Sequence, residues 1–108
     1  YVPEGIEEEN RQSEFRNLKL SVSPNPFNRI LKVRFQSSKE QNLSIKVYDV
    51  TGRLVKDIYE GIINGRKVVN WQGDNNSGKT VAQGIYFLRG VNTKSNKTFC
   101  KKVLKISW

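Results

Sequence analysis

The stretch VYDVTGRLV, residues Val47 to Val55, has the pattern of two β-strands joined by a tight turn. Apolar residues alternate with polar ones as far as Asp49, the chain turns over Thr51 and Gly52, and the pattern resumes at Arg53. Gly52 supplies the positive φ that a tight hairpin turn favours, because glycine has no Cβ to clash. The Asp49 side chain can cap such a turn and pair with Arg53. The stretch therefore predicts antiparallel β-structure.

Similar runs follow along the rest of the chain. In one of them Leu31, Val33 and Phe35 alternate with charged residues, so that one face can pack while the other meets water. Short strands about every dozen residues are typical of an antiparallel sandwich. The sequence thus predicts an all-β fold, a seven-stranded antiparallel immunoglobulin-like β-sandwich, with Trp71 filling the space between the sheets. The predicted strands are Leu18 to Ser23, Ile30 to Gln36, Leu43 to Val50, Arg53 to Tyr59, Arg66 to Trp71, Gly84 to Val91 and Thr98 to Ile106.

The connections between these runs carry their own turn chemistry. Asn64-Gly65 is the strongest short-range turn signal in the chain and predicts a second hairpin tip. The segment SPNPFN contains Pro24 and Pro26, which have no N–H to donate, so it predicts an extended crossing rather than a regular strand. The loop from Asp74 to Gly78 offers oxygens to a calcium ion but lacks the other carboxylates of an EF-hand loop, which favours a plain turn.

Charge divides the chain into two parts. The formal net charge is +9, yet five of the ten acidic residues, Glu4, Glu7, Glu8, Glu9 and Glu14, lie before Asn17. This composition predicts an acidic linker over residues 1–17 and a basic domain over residues 18–108. A basic surface attracts polyanions such as nucleic acid, lipopolysaccharide or an acidic protein, although it can equally serve solubility alone.

The chain contains few residues that could carry out chemistry. It has no histidine, and Cys100 is its one cysteine, which excludes Cys/His zinc sites, Ser-His-Asp triads and an internal disulfide. Cys100 lies in an apolar and basic run, where a buried small side chain is expected. The remaining acids show no spacing typical of an acid and base pair. We therefore expect neither an enzyme nor a cofactor, and no apolar run approaches the roughly 20 residues of a membrane helix.

Three stretches considered together suggest a family. SPNPFN (Ser23 to Asn28), IKVYDVTGRLV (Ile45 to Val55) and VNWQGDNNSGKTVAQGIYFLRG (Val69 to Gly90) precede a lysine-rich final strand. In this order the chain resembles the C-terminal sorting domain of type IX secretion substrates, the Por secretion tail, and the related immunoglobulin-like module of the flagellar hook-capping protein. The resemblance extends from about Leu18 to Ile106.

The resemblance implies a non-catalytic domain that directs an exported cargo protein through the outer membrane. The implied partners are an outer-membrane translocon and sortase-like processing components that remove the domain, with anionic lipopolysaccharide as a further partner. The cargo would be secreted or held at the cell surface. By motif position, the implied sorting-motif residues are Pro24, Asn25, Pro26, Asp49, Gly52, Arg53, Gly84, Tyr86, Lys101 and Lys102.

The last strand is the best candidate for direct recognition. Lys101, Lys102 and Lys105 are expected to be exposed beside a sheet edge, and an open edge can accept a strand from a receptor. Tyr86 is expected to bury its ring with the hydroxyl bonded at a strand end, as in a tyrosine corner. Trp108, beyond this strand, is expected to pack against it or to serve as an interaction anchor.

Two other functions fit parts of the sequence. An immunoglobulin-like accessory or spacer module of a secreted hydrolase or adhesin would use the same turns and core. Nucleic-acid binding would account for the charge. However, the basic residues alternate around the whole body and do not flank exposed aromatic residues, and no recognition helix or RNA-binding loop is evident.

Overall fold

The computed structural model describes residues 18–107 as five β-strands and their connections. The strands are β1 (Leu18–Ser23), β2 (Leu31–Asp49), β3 (Leu54–Trp71), β4 (Gly84–Asn92) and β5 (Thr98–Lys105). No helix occurs among these described residues, which confirms the all-β prediction. The predicted acidic linker, residues 1–17, and Trp108 lie outside the described residues.

All five strands belong to one antiparallel sheet with β2 at its centre. One edge of β2 pairs with β3 along almost its whole length. The other edge pairs first with β1, from Lys32 to Ser37, and then with β4, from Leu43 to Asp49. β5 pairs with the far side of β4. The sheet therefore curls, and its inner face encloses the core.

The predicted seven separate strands are not observed, and the seven-stranded sandwich is not confirmed. Two pairs of predicted strands are continuous, because the pairing between β2 and β3 passes through a register shift between Ser37 and Gln41 without stopping. Three residues of β2 between Ser37 and Gln41 oppose the single residue Asn64 of β3, so the irregularity is a bulge in β2. Gly65, which pairs with Ser37 beside this bulge, has a φ of 95° but lies within the continuous strand β3, and the hairpin tip predicted at Asn64-Gly65 was wrong.

The core follows from the alternation of apolar residues along the strands. Trp71 is fully buried, and its ring lies 5.2 Å from that of Phe27 and 5.4 Å from that of Tyr86. Trp71 is therefore a central anchor of the core, as predicted, but the space that it fills lies inside one curled sheet and not between two sheets. Both halves of β2 and the inner face of β4 and β5 contribute the other fully buried side chains, which include Leu31, Val33, Leu43, Ile45, Val47, Leu88 and Val103.

No helix within residues 18–107 is long and apolar enough to cross a membrane. The same described part of the chain contains no group of three or more His, Cys, Asp or Glu side chains that could hold a metal ion.

Candidate functional site

The β2–β3 hairpin ends in a turn that Asp49 organises. One carboxylate oxygen of Asp49 accepts hydrogen bonds from the Thr51 amide at 2.9 Å, the Thr51 hydroxyl at 2.6 Å and the Arg53 amide at 3.0 Å. These bonds, led by that of the Thr51 hydroxyl, lower the pKa of the Asp49 carboxyl below its usual value. Gly52 occupies the turn with a φ of 85°. The predicted cap is present, but Asp49 accepts from the Arg53 backbone amide, and the ion pairs within residues 18–107 join Lys46 to Asp57 and Lys56 to Asp74.

Tyr86 lies at the start of β4, two residues after Gly84, which has a φ of 146°. Its ring is buried, and its hydroxyl donates to the Ala82 carbonyl oxygen at 2.6 Å. Burial, followed by the nearby Asp49 carboxylate, raises the pKa of the Tyr86 hydroxyl. The hydroxyl is therefore satisfied four residues upstream, as the tyrosine-corner prediction requires, and the role of Tyr86 in the structure is to support the fold.

The segment that contains Pro24, Asn25 and Pro26 lies along the outer edge of β5. The Asn25 side chain donates to the Lys102 carbonyl at 3.2 Å and accepts from the Leu104 amide at 3.0 Å. Phe27, two residues further along, extends this contact. Its backbone amide donates to the Leu104 carbonyl at 3.0 Å, and its carbonyl accepts from the Ile106 amide at 2.8 Å. The proline-containing motif and the lysine-rich strand, far apart in the sequence, thus form one surface.

These contacts correct the prediction of an open edge at the end of β5. Asn25 and Phe27 already occupy the backbone groups that a receptor strand would use from the Lys102 carbonyl to the Ile106 amide. Strand addition at this end of β5 would have to displace them. The sequence could not show this closure, because the residues joined are 77 and 79 positions apart.

The three candidate lysines of β5 have different environments. Lys102 is exposed and Lys101 is half-buried, whereas Lys105 is only 4% exposed. The Lys105 stem packs so closely on Gly73 that a Cβ added there would lie 2.5 Å from its Cε. Lys105 was therefore wrongly predicted to be an exposed recognition residue, because alternation within β5 turns its stem toward the core side with Phe99 and Val103.

The sequence did not reveal a mixed apolar and basic face on the outer side of β2, β4 and β5. Register places Tyr48, Phe87 and Lys102 in one row across the three strands, and Lys46, Arg89 and Cys100 in the next. We define the mixed face by Lys46, Tyr48, Ile85, Arg89, Lys102 and Leu104. Each strand showed its outward residues in the sequence, but only the pairing of β2 with β4 brings them together.

Exposed apolar side chains border one end of this mixed face. Ile85 and Leu104 face each other across β4 and β5 and are 39% and 38% exposed. Val50 and Leu54, at the adjoining hairpin end, are also exposed. The outer face of the sheet is therefore not uniformly polar at this end.

The loop from Asp74 to Gly78 uses its oxygens to hold its own shape. Asp74 accepts from the Lys56 ammonium at 3.0 Å, and the Asn75 side chain accepts from the Ser77 and Lys79 amides at 2.9 Å and 3.0 Å. The Lys56 ammonium contacts Oδ2 of Asp74, while Oδ1 of the same carboxylate is buried without a hydrogen-bond partner. The Asn75 side chain is engaged within the loop, which favours the plain turn over the calcium alternative.

Comparison with known proteins gives a family match and similarities to solved structures, two of which are described here. The family model described as "Secretion system C-terminal sorting domain" matches residues 21–106. The fold is similar to part of dimeric latent PorU from Porphyromonas gingivalis, with a TM-score of 0.68, 20% identity and coverage of 84% of this chain. It is also similar to part of PorZ, a surface component of the type-IX secretion system of the same organism, with a TM-score of 0.54, 24% identity and 81% coverage.

These similarities concern small parts of longer proteins. The present chain covers 9% of the PorU chain and 11% of the PorZ chain. No curated protein matches the chain. The predicted relation to the flagellar hook-capping protein is not confirmed and stays a prediction.

Proposed function

The chain belongs to the family of secretion system C-terminal sorting domains, the Por secretion tail, and from this we propose that it directs its cargo across the outer membrane by type IX secretion. The observation that carries the proposal is the family match over residues 21–106, almost the whole described domain. The cargo is delivered to the cell surface or released, and the domain is removed by sortase-like processing components after translocation. The domain itself is non-catalytic.

The chemistry of the described side chains supports a domain that acts by being recognised. Asp49 and Tyr86, the described groups with shifted pKa values, use their hydrogen bonds to hold a turn and to bind a loop carbonyl. The proposed partners are the outer-membrane translocon and the processing components. They are proposed to recognise the domain through its surface shape and charge. Anionic lipopolysaccharide is a further proposed partner, because residues 18–108 carry most of the lysine and arginine.

We place the recognition surface where the proline-containing motif meets β5. Pro24, Asn25 and Pro26 are exposed there beside the exposed Lys102, and the Asn25 side chain is bonded to the Lys102 carbonyl. Lys101 borders this surface as a half-buried side chain. A receptor that binds this junction contacts two sequence motifs at once, which gives specificity that neither motif has alone.

Secretion of a fusion protein tests the proposal. Residues 1–108 are joined behind a reporter that carries an ordinary export signal, and surface delivery is compared in a host with a type IX system and in its translocon-deficient mutant. Delivery that is lost only in the mutant supports the sorting function. Equal periplasmic retention of the reporter in both strains, with a known sorting domain delivered in the same host, would leave the accessory-module alternative.

A charge reversal tests the position of the recognition surface in the same assay. Lys102→Glu is expected to reduce delivery severalfold, because it places a carboxylate at the junction of the two motifs. Lys19→Glu makes the same charge change at an exposed position on β1, away from that junction, and is expected to leave delivery unchanged. Equal loss of delivery in both variants would show that net charge, and not the junction, is recognised.

A further inference from the structure

Two cations of the mixed face lie in directly opposite positions on neighbouring strands. Lys46 of β2 pairs with Arg89 of β4, which places their Cβ atoms about 4.5–5.5 Å apart. Like charges in such positions destabilise a sheet. On the other side of β2, the carboxylate of Asp57 lies 3.3 Å from the Lys46 ammonium, whereas Arg89 forms no ion pair within residues 18–107. The arginine of this pair therefore lacks a counterion in the described part of the chain.

The positions around Arg89 in the sheet supply no carboxylate. Its direct partner on β5 is Cys100, which is buried. The diagonal positions on β2 and β5 are also within reach of a long side chain. None of them holds an acid, and one holds a third cation: they are Ser44, Tyr48, Thr98 and Lys102. The sheet thus gathers positive charge around Arg89 without balancing it.

A shallow pocket opens beside these cations, and we call it the β2–β4 pocket. Its volume is about 240 Å³, and its lining consists of Ser44, Lys46, Tyr48, Arg89, Val91 and Thr93. Within residues 18–107, the hydroxyls of Ser44, Tyr48 and Thr93 make no hydrogen bond, so all three can bind a ligand. The volume is just below the roughly 300–1,000 Å³ of pockets for drug-sized ligands, which suits a smaller molecule.

The lining combines two kinds of chemistry. An arginine can bind two oxygens of a phosphate through parallel N–H groups, and the ammonium of Lys46 adds a point charge from the opposite strand. Lys46 has three N–H donors, so its contact with Asp57 leaves two for a phosphate. Tyr48 and Val91 provide apolar surface, while the three hydroxyls can exchange hydrogen bonds with hydroxyls of a ligand. A phosphate alone would use the cations and leave the rest of the lining unused.

We propose that the β2–β4 pocket binds a phosphorylated monosaccharide, with its phosphate between Lys46 and Arg89 and its sugar ring against Tyr48. The bound phosphate neutralises the two opposed cations. Asp57 is the one carboxylate that opposes it, and its pair with Lys46 is weak because the two side chains are 55% and 37% exposed. The inference concerns a small ligand and does not depend on the proposed function, because binding is measured without secretion.

Titration of the full chain Tyr1 to Trp108 with glucose 6-phosphate tests the site, with the amide NMR shifts as the measurement. Saturable shifts are expected in residues 44–48 and 89–93. Inorganic phosphate and glucose are titrated in parallel. Glucose 6-phosphate is expected to bind about fivefold more tightly than either, because each of the other probes uses only part of the lining.

Substitutions of the two cations locate the phosphate. Lys46→Gln/Arg89→Gln is expected to weaken binding about tenfold, because it removes the charged donors. The matched control Lys32→Gln/Arg66→Gln removes one lysine and one arginine from exposed positions of β2 and β3, and it should change binding less than about twofold. Urea unfolding shows that each variant is folded under the conditions of the titration.

Asp57→Asn gives a test in the opposite direction. It removes the opposing carboxylate and keeps a side chain of the same shape, so binding is expected to become about threefold tighter. A loss of affinity through unfolding cannot imitate this gain.

Four outcomes would overturn the inference. The first is the absence of saturable shifts in residues 44–48 and 89–93. The second is an equal loss of binding in the Lys32/Arg66 control, which would mean attraction by net charge alone. The third is equal affinity for inorganic phosphate or for glucose, which would remove the sugar or the phosphate from the recognised group. The fourth is unchanged or weaker binding in Asp57→Asn.

Discussion

Asp49 holds the tip of the central hairpin through a single carboxylate oxygen that accepts three hydrogen bonds. Replacing Asp49 with Ala leaves the amides of Thr51 and Arg53 without this acceptor and is expected to cost about 1 kcal/mol of unfolding free energy, as for other side-chain caps. Asp49→Asn keeps an oxygen in the same place and should lose clearly less. Urea unfolding at neutral pH measures both, and equal losses would show that charge, and not the acceptor, stabilises the turn.

The same carboxyl makes the stability depend on pH. Its pKa is lower in the folded state than the unfolded value, so its contribution is complete above about pH 3.9 and is lost as the pH falls through the folded-state pKa. The stability difference between the wild type and Asp49→Asn at pH 7 is therefore expected to shrink as the pH falls below the unfolded-state pKa and through the folded-state pKa. A difference that is constant with pH would contradict the role of the charge.

The Asn25 side chain closes the outer edge of β5 by making hydrogen bonds that a neighbouring strand would otherwise make. Asn25→Ala removes the donor to the Lys102 carbonyl and the acceptor for the Leu104 amide. Because both bonds are exposed, the expected loss of unfolding free energy is about 1 kcal/mol. Hydrogen exchange of the Leu104 amide should also become faster. Asn70→Ala, at an exposed position on β3, is the control, and equal exchange in both variants would show that Asn25 does not protect this edge.

The register shift between β2 and β3 lies beside a residue with an unusual backbone conformation, Gly65. A Cβ at Gly65 would meet no atom within 4 Å, but the φ of 95° is unfavourable for any other residue. Gly65→Ala is therefore expected to cost about 1–2 kcal/mol through backbone strain alone. Gly65→Asn should cost less, because asparagine tolerates positive φ better. Chemical unfolding of the two variants checks the order, and a larger loss for Asn would point to a steric cause.

At the scale of single turns and strands, the sequence predicted the features that neighbouring residues determine. The turn at Thr51-Gly52, the alternation of Leu31, Val33 and Phe35, and the anchoring role of Trp71 were all visible in local sequence. The register shift beside Gly65 was not, because a glycine suited to positive φ is the same signal for a hairpin tip and for a continuous strand beside a bulge.

The parts that were missed depend on contacts between distant segments. The burial of Lys105 requires Gly73 beneath its stem, and the closed edge of β5 requires Asn25 from the other end of the domain. The mixed face requires Tyr48 of β2 to lie beside Phe87 of β4. No periodicity within one strand contains this information, so the positions of candidate residues were predictable but their exposure was not.

Across the whole molecule, positive charge is spread over both ends of the curled sheet. Lys19, Lys32 and Arg34 lie on exposed positions of β1 and β2, while Arg89 and Lys102 lie on the mixed face. Such a distribution produces a long-range attraction to polyanions without forming a groove. The aromatic residues of the described chain are mainly in the core, as the contacts of Trp71, Phe27 and Phe35 show. Bases therefore have little surface on which to stack.

This distribution leads to an expectation for nucleic-acid binding. Counterion release alone gives affinity that falls steeply with salt and does not distinguish sequences. In a gel shift, two unrelated duplexes of equal length should bind equally at about 50 mM salt, and both should dissociate by about 200 mM salt. A preference for one duplex that survives the higher salt would require base contacts. It would make nucleic acid a specific partner and would contradict a surface that attracts polyanions by charge alone.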